Sequence, residues 1–323
     1  MPQHDTFMAW TWHEPGEPRS LTLEDHEMRP AEGGEVIVDT RAIGLNPVDW
    51  KFIAMESRLW QPGQIPGVDA AGVVIDAGPG VDHLAPGDRI AVHTSLAGPG
   101  TFATRLRLPA RAVMRLPDGI DFITAAAFPC PVLTAWQAIE KLPVTTGAHL
   151  LVSGGSGSVG RIIVQLAKAR GFHVIAMSSP ERHELLYALG ADEAISSPHQ
   201  LTAPLFAVID TVNGEHARQL SQHLGANGHV VCVQDRLDGP VAPPFERALS
   251  QHEVALGALH MTGTDQDWQA LVNAGETLLN QVAEGALSLS DVAVDEFDAL
   301  PTRLSELKHG PRQAGKLVIR VDG

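Results

Sequence analysis

His149-Leu150-Leu151-Val152-Ser153-Gly154-Gly155-Ser156-Gly157-Ser158-Val159-Gly160, continuing into Arg161-Ile162-Ile163-Val164-Gln165-Leu166-Ala167-Lys168-Ala169, decides how the rest of the chain is read. The short apolar run predicts a strand, the glycines a tight turn, and the amphipathic continuation a helix. Gly155, Gly157 and Gly160 have the G-x-G-x-x-G spacing of a dinucleotide-binding turn. The first glycine is expected to permit the turn. The second lets a pyrophosphate approach the backbone, and the third lets the helix lie close to the strand. Free N–H groups and the positive end of the helix dipole would then face phosphates. Alone this spacing describes any surface loop, but a second apolar run, His173-Val174-Ile175-Ala176-Met177-Ser178, completes a βαβ unit.

The alternation continues outward. A helix over Glu181 to Leu189 is followed by strands at Phe206 to Asp210 and His229 to Val233, with a helix around His216 to Leu224 between them, and Glu253 to Leu259 reads as a last strand. Such alternation implies a parallel sheet covered on both faces. Asp265 to Ala283 is a long amphipathic helix, and Gly315 to Val321 returns to strand. Toward the N-terminus the texture differs. Glu35 to Ile43, Ala70 to Gly78 and Asp88 to His93 are short strand-like runs separated by Pro, Gly and Asp, which suggests a compact, partly closed β domain. Helix-like stretches at Thr124 to Phe128 and Leu133 to Ile139 are broken by Pro129 and Pro131. The fold class expected is α/β, with a discontinuous first domain over 1–123 and 288–323 and a dinucleotide-binding domain over 124–287.

Bulk properties narrow the function. The 323 residues are 44% hydrophobic and 19% charged, as suits a globular chain of about two domains. No apolar run is long enough to span a bilayer, and Met1-Pro2-Gln3-His4-Asp5 has no basic region leading into an apolar one, so a cytoplasmic location is expected. The net charge of −15 argues against nucleic acid as partner. Two cysteines, Cys130 and Cys232, each in an apolar setting, read as small core residues rather than a disulfide. Fifteen histidines are scattered without metal-ligand spacing.

Several further segments carry a resemblance. His13-Glu14-Pro15-Gly16, Gly44-Leu45-Asn46-Pro47-Val48-Asp49-Trp50-Lys51, Pro66-Gly67-Val68-Asp69-Ala70-Ala71-Gly72, Pro86-Gly87-Asp88-Arg89, Leu133-Thr134-Ala135-Trp136, Leu189-Gly190-Ala191-Asp192 and Gly315-Lys316 accompany the glycine turn. In this order, over nearly the full length, they resemble the medium-chain dehydrogenase/reductase superfamily in its zinc-free quinone oxidoreductase (zeta-crystallin-like) branch. The resemblance implies a GroES-like β domain, a Rossmann domain and a homodimer. Zinc enzymes of the superfamily carry a cysteine in the Asn46 to Asp49 stretch and His-Glu where Val68-Asp69 stands. With one Asp and histidines distant in sequence, no metal is expected. The family's Gly-x-Phe-Ala-Glu-Tyr is Gly100-Thr101-Phe102-Ala103-Thr104-Arg105 here, which removes an acid and an aromatic from the usual quinone pocket.

Without a Lewis acid to take charge from a hydroxyl, hydride addition to a conjugated acceptor is the easier reaction, because the developing charge spreads into an enolate or hydroquinone oxygen. A quinone or an α,β-unsaturated carbonyl is therefore the expected substrate, reduced by NADPH. An NAD-type site needs an acid about 20 residues past the glycines. Ser178, Ser179 and Arg182 stand near that place and suit a 2′-phosphate, unless Glu181 caps the helix and Arg182 is merely solvated. Ser156, Ser158, Val159 and Val233 complete the candidate cofactor set. Candidate catalytic residues are Asn46, a donor to a carbonyl or else an Asn-Pro turn residue, and Lys51, an oxyanion stabiliser or else a solvated lysine. Thr134 could reach the nicotinamide or be an ordinary helix residue, and His93 is a proton donor or else a core histidine. Asp49 reads as structural and Trp50 as pocket wall or core. The competing functions are a nucleotide-binding accessory protein with little turnover and, less favoured, a zinc-type alcohol dehydrogenase.

Overall fold

The computed structural model describes residues 6–56, 58–310 and 315–322. The chain opens with an antiparallel pair, β1 (Thr6–Thr11) and β2 (Thr22–Glu27), and the long β3 (Glu35–Leu45). A short helix α1 (Pro47–Ala54) leads to β4 (Asp69–Ala77), β5 (Arg89–His93), β6 (Arg105–Pro109) and β7 (Val113–Arg115). β3 pairs antiparallel with both β4 and β6, β4 with β5, and β5 with β7. Val36, Ile37 and Val38, and again Ala42, Ile43 and Leu45, are all buried, so β3 is covered on both faces rather than alternating.

After α2 (Phe122–Ala127) comes α3 (Pro129–Glu140). The helix breaks at Phe128 alone: Pro131 lies in the first turn of α3, where a missing N–H costs nothing. Then follow β8 (His149–Ser153), α4 (Gly160–Ala169), β9 (His173–Met177), α5 (His183–Ala188), β10 (Glu193–Ile195), β11 (Leu205–Asp210), α6 (Gly214–Leu220), β12 (Leu224–Cys232) and β13 (Ser250–Glu253). These strands form one six-stranded sheet in the order β10-β9-β8-β11-β12-β13, every pair parallel. Chain order reverses between β8 and β11, the position at which doubly wound sheets take their ligands. Leu151, Ile175, Val208, Leu220 and Val230 pack in its core. The last strand ends at Glu253, short of the expected 253–259 run, whose far end instead opens α7 (Ala258–Thr262).

Contacts divide the chain into two units. The first takes the residues up to Cys130, Gly257–Ala286 and Asp291 onward; the second takes Pro131–Leu256 and Leu287–Ser290. The sequence boundary at 287 therefore differs for the long helix α8 (Asp265–Ala283), which groups with the first unit. Its apolar stripe, Trp268, Leu271, Leu278 and Leu279, is buried. The Arg111 guanidinium lies 5.6 Å from the Trp268 ring centroid, and the Arg115 N–H donates to Glu276 at 2.9 Å. The chain then adds β14 (Val292–Glu296), α9 (Leu300–His309) and β15 (Lys316–Arg320). β15 pairs antiparallel with β3, so the tail closes onto the first unit's sheet.

Candidate functional site

In the second unit the glycine turn joins β8 to α4 as its spacing requires. A Cβ on Gly160 would lie 2.2 Å from the Gly154 carbonyl oxygen, so only glycine lets the helix start this close to the strand end. The tight-turn role assigned to Gly155 falls one residue earlier: Gly154 has φ +61°, while Gly155 lies against Ala176. Gly157 donates its N–H to Gly154 O at 2.9 Å and Arg161 donates to Gly157 O at 3.0 Å; among the described residues no backbone carbonyl takes the N–H of Ser158 or Val159. Those amides, at the start of α4, suit a phosphate. The Ser156 and Ser178 hydroxyls are 2.7 Å apart and tie the turn to the end of β9. Ser179 donates to Glu181 at 2.5 Å, and Arg182 is exposed in a single 3-10 turn. Val233, half-buried just past β12, donates its N–H to Asp210 O.

Sequence reading missed Asp210. It ends β11 and is buried, and it accepts Ser153 Oγ at 2.6 Å, the Val212 and Asn213 N–H groups at 2.9 Å, and His216 Nδ1. It thereby fixes the ends of β8 and β11 at the reversal of chain order. An acid closing an apolar strand (Phe206 to Asp210) is the sequence signal, since a buried carboxylate must be fully hydrogen-bonded.

In the first unit the chemistry gathers around Asp69, a residue sequence reasoning did not select. Asp69 is fully buried at the first position of β4 and pairs in register with His93, the last of β5. His93 Nδ1 is 2.8 Å from Asp69 Oδ1. Asp69 Oδ2 accepts Asn46 Nδ2 at 2.9 Å and Lys316 Nζ at 3.3 Å, and the Cys130 N–H reaches both oxygens at 3.1 Å. Burial alone would raise the Asp69 pKa, but the Lys316 charge and the His93 and Asn46 hydrogen bonds outweigh it and hold it below the usual range.

Asn46 does not present a free donor. Its Nδ2 serves Gly44 O and Asp69, and its Oδ1 accepts Lys316, so it acts as a strut in this network. Cys130 is half-buried beside Asp69 rather than a plain core residue, whereas Cys232 is buried and burial pushes its thiol up to about 11. Lys51 is half-buried on α1 with its ammonium 5.9 Å from the Trp50 ring centroid; the Lys308 ammonium is 5.8 Å from the same ring. Thr134 is half-buried on α3, in the second unit. Thr104 and Arg105 are held within the first unit, Thr104 by Met8 and Arg105 by Asp39 at 2.9 Å.

Residues 32–118 match the family model for the alcohol dehydrogenase GroES-like domain, and 158–276 that for a zinc-binding dehydrogenase. A chloroplast envelope quinone oxidoreductase homolog of Arabidopsis thaliana is 33% identical over 219 residues, 62% of this chain and 67% of that one. The chain belongs to the medium-chain dehydrogenase/reductase superfamily. A 2-methylene-furan-3-one reductase of Solanum lycopersicum is 34% identical over 255 residues, covering 73% of this chain and 63% of the relative, so the chain spans less than two thirds of that protein. A solved alcohol dehydrogenase superfamily protein from Novosphingobium aromaticivorans superposes with a TM-score of 0.86 at 25% identity, over 98% of this chain and all of the other.

Membership implies a nicotinamide dinucleotide, and the second unit fits one: the Gly154–Gly160 contact and the amides at the start of α4 form the cradle that a diphosphate needs. It also raises the question of zinc. Asp69, His93 and Cys130 offer ligand atoms within 4.8 Å of one another, although 24 and 61 residues separate the last two from Asp69, so sequence distance is no argument against a metal. The donor set nevertheless fits a metal poorly. Both Asp69 oxygens and His93 Nδ1 are occupied by mutual hydrogen bonds, and Lys316 already supplies the countercharge; a divalent cation would have to displace an ammonium. No helix among the described residues is long and apolar enough to cross a membrane.

Proposed function

We propose that this chain is an NADPH-dependent reductase that adds hydride to a quinone or an α,β-unsaturated carbonyl without a metal. The occupied state of Asp69 carries the metal-free part of the reading: its oxygens accept Lys316, Asn46, His93 and Cys130, so this acid is no open ligand for a cation. Donors suffice for a conjugated acceptor, whose added electrons delocalise onto oxygen. NADPH held by Ser156 to Gly160 and by Ser178, Ser179 and Arg182 supplies the hydride. Arg182 and the two serines replace the acid of an NAD-type site and favour the 2′-phosphate. Lys51 and His93 are the groups of the first unit suited to stabilise or protonate an oxyanion. The names of the relatives agree: a methylene-furanone is a conjugated ketone, and the Arabidopsis protein is named for a quinone. Assembly as a homodimer belongs to the same reading.

Stopped-flow absorbance of protein-bound NADPH, mixed with a panel of quinones and enals, tests it. Oxidation by a conjugated acceptor in metal-stripped protein is the expected result. NADPH that binds but is oxidised by none of them would leave an accessory nucleotide-binding role.

A further inference from the structure

We propose that Asp210 is a positioning residue for the coenzyme: through Ser153 and Thr211 it holds the peptide that precedes Gly154, and so sets where the amides at the start of α4 stand. This rests on the dinucleotide part of the reading above, and every residue involved lies in the second unit. The backbone ladder between β8 and β11 ends at Val152 and Ile209, one residue short of Ser153 and Asp210. Beyond it side chains take over. Ser153 Oγ donates to Asp210 at 2.6 Å and accepts the Thr211 N–H at 3.2 Å, while Thr211 Oγ1 donates to Ser153 O at 2.8 Å. The Asp210 carboxylate, 1% exposed, is filled by Ser153, His216 Nδ1 and the Val212 and Asn213 amides. A carboxylate offers about four acceptor sites. None is left for a ligand, so Asp210 acts through its neighbours.

What those neighbours control is a glycine. Gly154 has φ +61°. Glycine takes either sign of φ at little cost, so its conformation has to be imposed by the bonds around it. The peptide before it carries Ser153 O, which Thr211 Oγ1 holds; the peptide after it carries Gly154 O, which takes the Gly157 N–H at 2.9 Å. Both planes of the turn are thereby pinned. A Cβ on Gly154 would collide with Thr211 Oγ1, so the hydroxyl reaches its acceptor only past a glycine.

Gly154 O also lies against Gly160, the first residue of α4. A rotation at Gly154 would therefore move the helix start and, with it, the Ser158 and Val159 amides that suit a phosphate. Arg182 is placed for the 2′-phosphate, which NADPH alone carries. The Asp210 linkage acts on the diphosphate, which NADPH and NADH share.

Fluorescence titration with each reduced coenzyme, together with steady-state kinetics on a conjugated acceptor, tests this in the full-length protein. Asp210→Asn keeps an oxygen for the Val212 and Asn213 amides but turns a donor toward Ser153 and His216. It should raise Kd and KM for both coenzymes by the same factor, roughly tenfold, with kcat at saturating coenzyme unchanged. Thr211→Val keeps the branched shape without the hydroxyl and should raise both about threefold to tenfold, the worth of one hydrogen bond. Thr211→Ser, which retains the hydroxyl, should restore wild-type values. The two threonine variants decide the matter if the asparagine variant fails to fold. Wild-type affinity in Thr211→Val, a Thr211→Ser variant as weak as Thr211→Val, or a loss confined to NADPH overturns the proposal. Wild-type protein that takes up neither reduced coenzyme overturns the dinucleotide reading itself, and the proposal falls with it.

Discussion

Asp49 and Asp69 are both fully buried in the first unit and are driven in opposite directions: Asp69 is held ionised beside Lys316, while burial pushes Asp49 up to about 8. Asp49 sits at the third position of α1, where its Oδ2 accepts the Asn46 N–H at 2.7 Å. With a folded pKa above the unfolded value of about 3.9, Asp49 contributes stability fully below about pH 4 and loses it as pH rises through about 8. Asp49→Asn keeps an acceptor for the Asn46 amide and removes the titration. Urea unfolding between pH 5 and 9 should show a shallower decline in stability for the variant; parallel curves would contradict the assignment.

Lys316 and Asp69 form a buried pair, 5% and 0% exposed. Removing one partner of such a pair leaves an uncompensated charge and costs about 3–5 kcal/mol. Lys316→Met is expected to lower the unfolding free energy by that order, read as a lower urea midpoint at an unchanged m-value. The sign with pH is the reverse of Asp49. A depressed Asp69 stabilises above its unfolded pKa, and that contribution disappears as pH falls through the lower folded value. The methionine variant should therefore lose part of the wild type's acid sensitivity.

The second unit was the more legible of the two in sequence, for a physical reason. Strand, glycine turn and helix are contiguous from His149 to Ala169, so local spacing and periodicity carry the whole motif. Even there the left-handed residue is Gly154 rather than Gly155, because two adjacent glycines leave the turn's register undetermined. The Asp69 cluster is drawn instead from five distant segments. Lys316 lies 247 residues from Asp69, and only the pairing of β3 with β4 and β15 brings it there. No spacing rule reports that. The hint available was chemical: an acid in Val68-Asp69-Ala70-Ala71 and a lysine opening Lys316-Leu317-Val318-Ile319, each within an otherwise apolar strand and each in need of a partner. Asp265 to Ala283 was read correctly as a helix, but an apolar stripe does not say which neighbour covers it.

Gly160→Ala should abolish tight dinucleotide binding while leaving the remainder of the fold in place. The new Cβ would meet Gly154 O at 2.2 Å and Gly155 Cα at 2.9 Å, all backbone atoms that cannot rotate aside. Overpacking of this kind costs about 1–3 kcal/mol, and here it falls on the turn that faces the phosphates. Calorimetric titration with NADPH should show at least a tenfold weaker Kd, with a circular dichroism spectrum like wild type. Wild-type affinity would place the diphosphate elsewhere.

Arg182 is exposed, so its substitution should not disturb folding. If it meets the 2′-phosphate, Arg182→Ala removes a charge-assisted hydrogen bond of about 1.5–3 kcal/mol. NADPH affinity should then fall roughly tenfold to a hundredfold, with NADH affinity unchanged. Glu181 stands beside it and accepts the Ser179 hydroxyl; Glu181→Gln should therefore strengthen NADPH binding modestly, because it removes a negative charge next to the proposed 2′-phosphate site. Equal loss of both coenzymes in the alanine variant would remove Arg182 from the specificity role.

Zinc provides the sharpest separation from the superfamily's metal enzymes. A divalent ion at Asp69, His93 and Cys130 would need the place that Lys316 and the mutual hydrogen bonds hold. Protein purified without chelator should therefore contain far less than one zinc per chain by elemental analysis, and chelator treatment should leave NADPH oxidation unchanged. Lys316→Met extends the test, because it removes the ammonium that competes for Asp69. If that variant acquires stoichiometric zinc and the wild type does not, the lysine is what excludes the metal. Stoichiometric zinc in the wild type, lost together with activity on chelation, would show instead that the Asp69 network opens to a cation, and the metal-free reading would fall.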